Sequence, residues 1–507
     1  MKEQGVETLP MKTQLISFSQ TKKRILTLLI LSAISFTAKC SFAEDKGKGA
    51  DPDLVRAIDK ILDVPGLQTG FQGVVIQSLR DNAIMYERNG DQVFLPASNN
   101  KLLTSCAALA LLGPDFVYQT QLLTNGKLSE AGTLQGDLIL KGSGSPILSI
   151  EDLDVLAKQA KAAGLKRVRG KLGFDDSRFD RNWIGNDWAS DDLSSYYAAE
   201  VSGLNVNHNI IKATASPGAV AGDPVKVEIT PPLPYLVVQN RARTGKRKSE
   251  NSLTFDRLRG QNVVVVSGSL PLDIAPDKPP SETLTIENPP RFTATLMQTA
   301  LKKQGVKFDD DEIAPLTATE EPEILAEHTS VPLSEILIQM NKPSDNLIAE
   351  CLMKTIGAVK KNKGTWEDGI SVAKEWFGTI GMDTTRVSQA DGSGLSRFNY
   401  VSPRNYVKLL AWYYKRPNFP ILYDSLAIAG VDGTLAQFGN KTALQGNLRA
   451  KDGYIGNVSS LTGFVKSKDG EIFIFSILMN NHLAKNAVCR TAQAKIALLL
   501  AEYKGDR

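Results

Sequence analysis

The sequence predicts an α+β protein whose main domain is discontinuous along the chain. Strand-like runs and amphipathic helices occur near both ends, and a long middle section has a different texture. The two ends together can supply an antiparallel sheet and the helices that cover it. The middle section is therefore expected to be an insertion.

The amino terminus has the pattern of a secretory signal. Lys22-Lys23-Arg24 precede the apolar run ILTLLILSAISFTA, and Ser41-Phe42-Ala43 form a suitable cleavage site. The run is too short for a comfortable transmembrane span. A lipidated Cys40 would normally follow a small residue, but Lys39 stands at that position, which disfavours a lipoprotein. Residues 1–43 are therefore predicted to be a signal peptide, the mature chain is expected to be secreted or periplasmic, and a membrane is involved only through secretion.

The first part of the main domain is assigned to residues 44–119. DLVRAIDKILDV has helical periodicity, and GVVIQSL and AIMYERN flank the turn residues Asp81-Asn82 as a hairpin. The next segment, FLPASNNKLLTSCAALALLG, places a polar cluster before a nearly unbroken apolar helix. This arrangement raises the question of whether the polar cluster has a function at the start of that helix.

The insertion is assigned to residues 120–325. Short runs such as GDLILKG, VRGKLGF, PVKVEITP and NVVVVSGSL alternate with Gly and Pro turns, and RFTATLMQTALKKQG supplies a helix. One or two small β-rich domains are expected here. Residues 326–507 then return to the main domain, where LTGFVKS and EIFIFSILMN flank a Lys-Asp-Gly turn and AVCRTAQAKIALLLAEY forms a closing amphipathic helix.

Charge and cysteine content argue against two classes of function. A net charge of +4 is too dilute over 507 residues to indicate nucleic-acid binding, and the basic run at residues 241–248 has no aromatic residue for stacking bases. After removal of Cys40, Cys106, Cys351 and Cys489 remain, without metal-type spacing. No metal or disulfide framework is expected, although a single disulfide stays open.

Ser98 and Lys101 are a candidate nucleophile and base. A helix beginning near Ser98 would bring the amine of Lys101 to the hydroxyl from one turn further along. Desolvation or a neighbouring cation can make such a lysine neutral and able to take a proton. The same spacing recurs at Ser19 and Ser371, and serine is a common N-cap residue, so the pair alone is a weak signal.

Two further elements strengthen the case. Ser344, Asp345 and Asn346 stand just before a helical pattern, where a hydroxyl could relay a proton and an amide could bind a carbonyl. Lys451 follows a strand-like run and precedes Asp452-Gly453, where the glycine permits close backbone approach. The histidines lie in no nucleophile motif and are expected to be structural; they are His208, His328 and His482.

In this order, Ser-x-x-Lys, Ser-Asp-Asn and Lys-x-Gly resemble the active-site motifs of the penicillin-recognising serine enzymes. The long separation between Ser98 and Ser344 fits a large insertion. Further stretches, including GDLILKGSGSPIL, LNVNHN, DGSGLSRFNYVSP and AGVDGTLAQF, resemble the D-alanyl-D-alanine carboxypeptidase and endopeptidase family of low-molecular-mass penicillin-binding proteins that carries inserted domains. The resemblance implies a penicillin-binding/β-lactamase-like transpeptidase domain.

The resemblance also implies roles for individual residues. Ser98 would be acylated by the substrate, with Lys101 as its general base. Ser344 would pass a proton to the leaving D-alanine, Asn346 would hold the amide on the acyl side, and Lys451 would attract the terminal carboxylate.

The backbone N–H groups of Ser98 and Tyr454, the residue after Gly453, would form the oxyanion hole. The implied substrates are peptidoglycan stem peptides, and the implied covalent inhibitors are β-lactams. No metal or organic cofactor is implied.

The third motif departs from the family pattern at Asp452, where threonine or serine is usual. An ionised carboxylate accepts hydrogen bonds and would repel a substrate carboxylate. Asp452 could turn away, be protonated, or weaken activity, which leaves open a cell-wall-binding protein with reduced turnover. A second departure, at Gly142–Pro146, lies in the insertion. A β-lactamase is disfavoured because the nearest deacylation-like motif, EVSGLN from Glu200, has one residue too many.

Overall fold

The computed structural model describes residues 51–505. The predicted signal peptide, residues 1–43, lies outside the described residues. Within the described range there are ten α-helices, which are α1 (Pro52–Leu62), α2 (Asn100–Leu111), α3 (Ile150–Ala162), α4 (Pro289–Lys303), α5 (Leu333–Asn341), α6 (Asn346–Lys360), α7 (Trp366–Thr379), α8 (Pro403–Tyr414), α9 (Phe419–Ser425) and α10 (Asn486–Glu502).

The strands of the same range are, in chain order, β1 (Phe71–Ser78), β2 (Ile84–Arg88), β3 (Gln119–Thr124), β4 (Lys127–Leu128), β5 (Thr133–Gln135), β6 (Leu138–Gly142), β7 (Arg167–Val168), β8 (Leu172–Asp175), β9 (Ile210–Ser216), β10 (Lys226–Thr230), β11 (Val237–Asn240), β12 (Arg243–Gly245), β13 (Thr254–Arg257), β14 (Val263–Ser267), β15 (Ser269–Pro271), β16 (Ser281–Thr285), β17 (Lys307–Phe308), β18 (Ile313–Pro315), β19 (Glu323–Thr329), β20 (Val387–Ser388), β21 (Tyr400–Val401), β22 (Ala427–Ile428), β23 (Arg449–Ile455), β24 (Val458–Lys466) and β25 (Ile472–Asn480).

A six-stranded antiparallel sheet joins the two ends of the described chain. Its order is β2-β1-β25-β24-β23-β22, so the amino-terminal hairpin β1–β2 lies beside the carboxyl-terminal hairpin β24–β25. Both hairpins were predicted from alternating apolar residues around turn residues, and both are confirmed. The predicted α+β class is confirmed with them.

Helices cover both faces of this sheet because its strands are apolar on both sides. In β25, Phe473, Phe475 and Ile477 belong to a core shared with α1 and α10. The alternate residues Ile474 and Leu478 belong to a second core with α2, α5, α6 and α8. Successive side chains of a strand point to opposite faces, so one continuous apolar run serves two cores.

Helix α2 lies inside the helical layer rather than on its surface. Ten of its residues, from Asn100 to Leu109, are buried. A helix that is surrounded on all sides needs no polar face, which explains its nearly unbroken apolar sequence. Immediately before it, Ala97–Asn99 form a single 3₁₀ turn that contains Ser98.

The middle of the chain forms several small sheets around a core of its own. The larger ones have the orders β18-β8-β6-β3-β19 and β17-β7-β5-β4, and they include parallel pairs, such as β6 with β8, as well as antiparallel pairs. Helices α3 and α4 pack against each other here. The predicted end of the insertion, between residues 325 and 326, falls inside β19. The division of the chain into domains stays a prediction.

The cysteines and the hydropathy of the helices complete the description of the fold. Cys106, Cys351 and Cys489 are buried free thiols, so no disulfide forms among them in this structure. Between residues 51 and 505, no helix is long and apolar enough to cross a bilayer.

Candidate active site

A cleft of about 680 Å³ opens beside the start of α2, between the helical layer and the edge of β23. Predicted site residues from all three motifs line it, namely Ser98, Ser344, Asn346, Asp452, Gly453 and Tyr454. The two predicted site lysines, Lys101 and Lys451, are fully buried beneath its floor. The structure therefore brings all eight predicted residues to one place, although they come from distant parts of the sequence.

Ser98 and Lys101 are in direct contact. Lys101 Nζ lies 3.0 Å from Ser98 Oγ, across the junction between the 3₁₀ turn and α2. Ser98 is not the N-cap of the helix, because the capping position is Asn99 and no side chain caps it. The half-buried Ser98 lines the cleft, and the amine of Lys101 lies behind its hydroxyl.

Two fixed oxygens hold the amine of Lys101. Its Nζ lies 2.6 Å from Asn346 Oδ1 and 3.0 Å from the carbonyl oxygen of Ser393. Burial, and after it the charge of Lys451, lower the pKa of Lys101 to about 7. In the neutral amine, two N–H groups donate to these oxygens, and the lone pair is left for the Ser98 hydroxyl. This is the arrangement that a general base requires.

The carbonyl of Ser393 is itself fixed by a buried carboxylate. Glu350, on α6, accepts hydrogen bonds from the backbone N–H groups of Gly392 and Ser393, each at 2.8 Å, and from the indole of Trp366 at 2.7 Å. Burial and the nearby charge of Asp391 raise the pKa of Glu350. Glu350 thus positions the turn whose carbonyl contacts the amine of Lys101.

Asp391 supports the same loop. Its carboxylate accepts hydrogen bonds from Gly394 N at 2.7 Å and Ser396 N at 2.6 Å. Gly394 has a φ of +92°, and a Cβ there would lie 1.9 Å from the carbonyl oxygen of Ala97. Only glycine fits at this position, since the backbone is left-handed and the neighbouring chain is close. The segment beginning at Asp391 was noted in the sequence as part of the resemblance, but its structural role was missed.

The second motif lies at the start of α6. Asp345 is the N-cap and accepts a hydrogen bond from Ile348 N at 2.9 Å. Asn346 donates from Nδ2 to the carbonyl oxygen of Tyr197 at 2.7 Å. Ser344 lines the cleft with a left-handed backbone, φ +68°. Among residues 51–505, its hydroxyl makes no hydrogen bond to Ser98 or to either site lysine.

The third motif runs along β23. Lys451 Nζ lies 2.8 Å from the carbonyl oxygen of Asp452 and 3.2 Å from its Oδ1. The hydroxyl of Thr434 donates to the same Oδ1 at 2.5 Å, and Arg490 Nη1 donates to Oδ2 at 2.9 Å. Burial alone would raise the pKa of Asp452, but Lys451, Thr434 and Arg490 together hold it well below its usual range. Asp452 is therefore an ionised carboxylate that is already paired.

Gly453 sets the distance between β23 and the nucleophile. A Cβ at this position would lie 2.8 Å from Ser98 N and 2.4 Å from Ser460 Oγ. The absence of a side chain lets the strand approach the backbone N–H of Ser98. The next residue, Tyr454, is exposed at the rim of the cleft. An oxyanion hole formed by the N–H groups of Ser98 and Tyr454 would require such a close approach.

His208 belongs to the cleft although the sequence predicted only a structural role for it. Its Nδ1 lies 3.0 Å from Asp345 Oδ2. The pairing with Asp345 raises the pKa of His208. The other missed neighbours of the site are Glu350, Ser393, Thr434 and Arg490. Ser393 and Thr434 lie in stretches that were noted for the resemblance, but their contacts with the site were missed, because each contact joins segments that are distant along the chain.

One residue considered in the sequence does not line the cleft. Glu200, the residue considered for a β-lactamase, is buried and accepts a hydrogen bond from Asn288 N at 2.9 Å. Within residues 51–505, no group of three or more His, Cys, Asp or Glu side chains is arranged to hold a metal ion. The chemistry that this arrangement supports is acyl transfer to a serine hydroxyl.

Comparison with known proteins gives consistent matches. Residues 54–503 match the sequence model of the D-Ala-D-Ala carboxypeptidase 3 (S13) family. The chain is 36% identical over 521 residues to a D-alanyl-D-alanine carboxypeptidase from Actinomadura sp. (strain R39), covering 100% of this chain and 95% of that protein. It is also similar to the crystal structure of penicillin-binding protein 4 from Haemophilus influenzae, with a TM-score of 0.78 and 27% identity over 88% of this chain and 99% of that one.

A second crystal structure of the Haemophilus protein contains a bound β-lactam. This chain matches it with a TM-score of 0.73 and 27% identity, again over 88% of this chain and 99% of the other.

Proposed function

The chain belongs to the D-Ala-D-Ala carboxypeptidase 3 (S13) family and is a serine-type D-Ala-D-Ala carboxypeptidase, and from that premise we propose that it cleaves D-alanyl bonds of peptidoglycan stem peptides through an acyl-enzyme on Ser98. The observation that carries the proposal is the contact between Ser98 Oγ and Lys101 Nζ at 3.0 Å, on the floor of a cleft that is lined by residues of all three motifs.

In the proposed first step, Ser98 Oγ attacks the carbonyl carbon of the penultimate D-alanine while Lys101 takes its proton. The oxyanion receives hydrogen bonds from the N–H groups of Ser98 and Tyr454, where each donor contributes roughly 3 to 4 kcal/mol to the transition state. With substrate bound, Ser344 would take this proton from the ammonium of Lys101 while giving its own to the amine of the departing D-alanine, which returns Lys101 to its neutral form. A water molecule then hydrolyses the ester in a second acyl transfer.

Substrate binding is assigned to two sides of the cleft. Asn346 would bind the amide on the acyl side, exchanging its contact with the carbonyl of Tyr197 for the substrate. Lys451 would attract the terminal carboxylate by its charge. In a cross-link, the departing D-alanine is still attached to another stem and keeps its own carboxylate near the cleaved bond. The acyl group is the same, so the proposal includes endopeptidase activity.

We place this reaction outside the cytoplasm, because peptidoglycan lies there and the amino terminus has the pattern of a signal peptide. β-Lactams are proposed as covalent inhibitors of Ser98, which the β-lactam complex of the Haemophilus protein supports. The alternative of a cell-wall binder with weak turnover rested on repulsion between an ionised Asp452 and the substrate carboxylate. The ion pairs of Asp452 with Lys451 and Arg490 offset its charge, which favours the peptidase over the binder.

The test uses the mature chain, its Ser98→Ala variant and a stem pentapeptide that ends in D-Ala-D-Ala. Release of D-alanine by the wild type alone, with a stable benzylpenicillin adduct on the peptide that contains Ser98, is the expected result. Rapid loss of the adduct would indicate a β-lactamase. Neither release nor adduct would indicate a binding protein, and an adduct on another side chain would refute the assignment of Ser98.

A further inference from the structure

The carboxylate of Asp452 has partners from three separate elements. Lys451 precedes it on β23 at 3.2 Å, Thr434 contacts it from the turn after β22 at 2.5 Å, and Arg490 reaches it from α10 at 2.9 Å. An aspartate that merely replaced a threonine in an unchanged site would lack such a set. The surroundings of Asp452 are therefore adapted to its negative charge.

Arg490 is held in place independently of any substrate. Its guanidinium lies over the ring of Phe438, 5.3 Å from the centroid, and its second amino group is 3.5 Å from the carbonyl oxygen of Thr434. Its side chain is 31% exposed, whereas that of Asp452 is 13% exposed. Asp452 and Thr434 line the cleft, and Arg490 stands behind them. Arg490 therefore acts on a ligand through Asp452.

The combined charge of Lys451, Asp452 and Arg490 explains how Arg490 affects the binding of a carboxylate in the cleft. Lys451 and Asp452 form an ion pair whose two charges cancel, which would leave no net attraction for a carboxylate in the cleft. Arg490 adds one further positive charge and is always protonated. With Arg490 the group carries one net positive charge, the same as a lysine beside a neutral threonine.

We infer that Arg490 is a specificity-determining residue that compensates Asp452, so that the site selects acyl donors ending in a free carboxylate. The inference rests on the proposed function, since it concerns the carboxylate of the substrate of that site. Arg490 is a positioning residue here and takes no part in the covalent steps. It lies about 40 residues after Asp452 in sequence, which is why the third motif alone does not reveal it.

The first test compares Arg490→Gln with the wild type on two substrates. One is an acyl-D-Ala-D-Ala peptide, and the other is the same peptide with a carboxamide terminus. For the first, kcat/KM should fall about tenfold, mainly through KM, because the net attraction is lost. For the second, it should change less than about threefold. Lys495→Gln, which removes an exposed cation from the same helix, is the control and should change neither value.

The second test restores the charge balance in another way. Asp452→Thr alone leaves Lys451 and Arg490 uncompensated and should raise kcat/KM for the carboxylate substrate a few fold. The double variant Asp452→Thr with Arg490→Gln should return close to the wild-type value, because one net positive charge remains. A purely structural role of Arg490 predicts instead that both substrates are affected equally and that the double variant is not rescued.

The outcomes separate the two claims. Equal losses on both substrates, no loss at all in Arg490→Gln, or a double variant as poor as Arg490→Gln would overturn the inference while the wild type remains a peptidase. A wild type that releases neither D-alanine nor D-alaninamide would overturn the proposed function, and the inference with it. Circular dichroism of each variant checks that a loss does not come from unfolding.

Discussion

The amine of Lys101 lies 3.0 Å from the hydroxyl of Ser98 and is completely buried beneath it. Burial removes the water that would stabilise the ammonium form, and the nearby charge of Lys451 opposes a second positive charge. Both effects favour the neutral amine. The fold thereby makes a base out of a side chain that is protonated at neutral pH when exposed.

The first prediction concerns the pH dependence of acylation. Because the pKa of Lys101 is about 7 and the neutral form is the base, the rate should rise with pH, reach half its plateau near pH 7 and level off above about pH 8. The second-order rate constant for labelling by a fluorescent penicillin, measured from pH 5.5 to 9, checks this. A labelling rate that rises only above pH 9 would mean that Lys101 keeps an ordinary pKa.

The second prediction concerns the loss of the base. Lys101→Met should lower the rate of Ser98 acylation by about 10³-fold or more and abolish the pH limb near 7, because no other side chain contacts Ser98 Oγ as a base among residues 51–505. Stopped-flow labelling and mass spectrometry measure the adduct. Lys374→Met, at an exposed position of α7, is the control. If the acylation rate of Lys101→Met still rose with pH near pH 7, the base would have to be another group.

The third prediction concerns the approach of β23 to the nucleophile. Gly453→Ala would bring a Cβ to 2.8 Å from Ser98 N, so the strand or the 3₁₀ turn must shift and the oxyanion donors separate. Acylation should fall at least about 100-fold. Gly378→Ala, in α7, meets its nearest neighbour at 3.6 Å and should leave the rate unchanged. Labelling rates and a crystal structure of the variant measure the effect, and an unaffected rate would mean that no oxyanion hole lies between Ser98 and β23.

The fourth prediction concerns Glu350. In Glu350→Gln, one carboxylate oxygen becomes an NH2 group that faces either the N–H of Ser393 or those of Gly392 and Trp366, which leaves at least one buried donor unsatisfied. The free energy of unfolding should fall by about 2 to 4 kcal/mol. Acylation should slow about tenfold, since the carbonyl that orients Lys101 is displaced.

Urea unfolding and labelling rates test this fourth prediction together. The exposed Glu367→Gln, on the neighbouring helix α7, should change stability by less than about 0.5 kcal/mol. A variant with lower stability but an unchanged acylation rate would confine Glu350 to a role in folding.

Much of the fold was predictable because its signals are local. Alternating apolar residues around Asp81-Asn82 and around residues 468–470 predicted two hairpins, and both chain ends were expected to share one sheet. The helices α1, α4 and α10 were predicted from their periodicity. The pairing within the insertion was not predictable, because its short strands pair in parallel and across long intervals that no local pattern specifies.

The sequence by itself determined which residues could do the chemistry, because the order of three short motifs survives in the linear chain. It placed Ser98, Lys101 and Lys451 in one site without any knowledge of distances. Only the tertiary structure decided the state of those residues. The neutral form favoured for Lys101 depends on burial and on a carbonyl fixed by Glu350, and the fate of Asp452 depends on Arg490. Electrostatic energies follow separation in space and exclusion of water, and neither quantity is written in the spacing of residues along a chain.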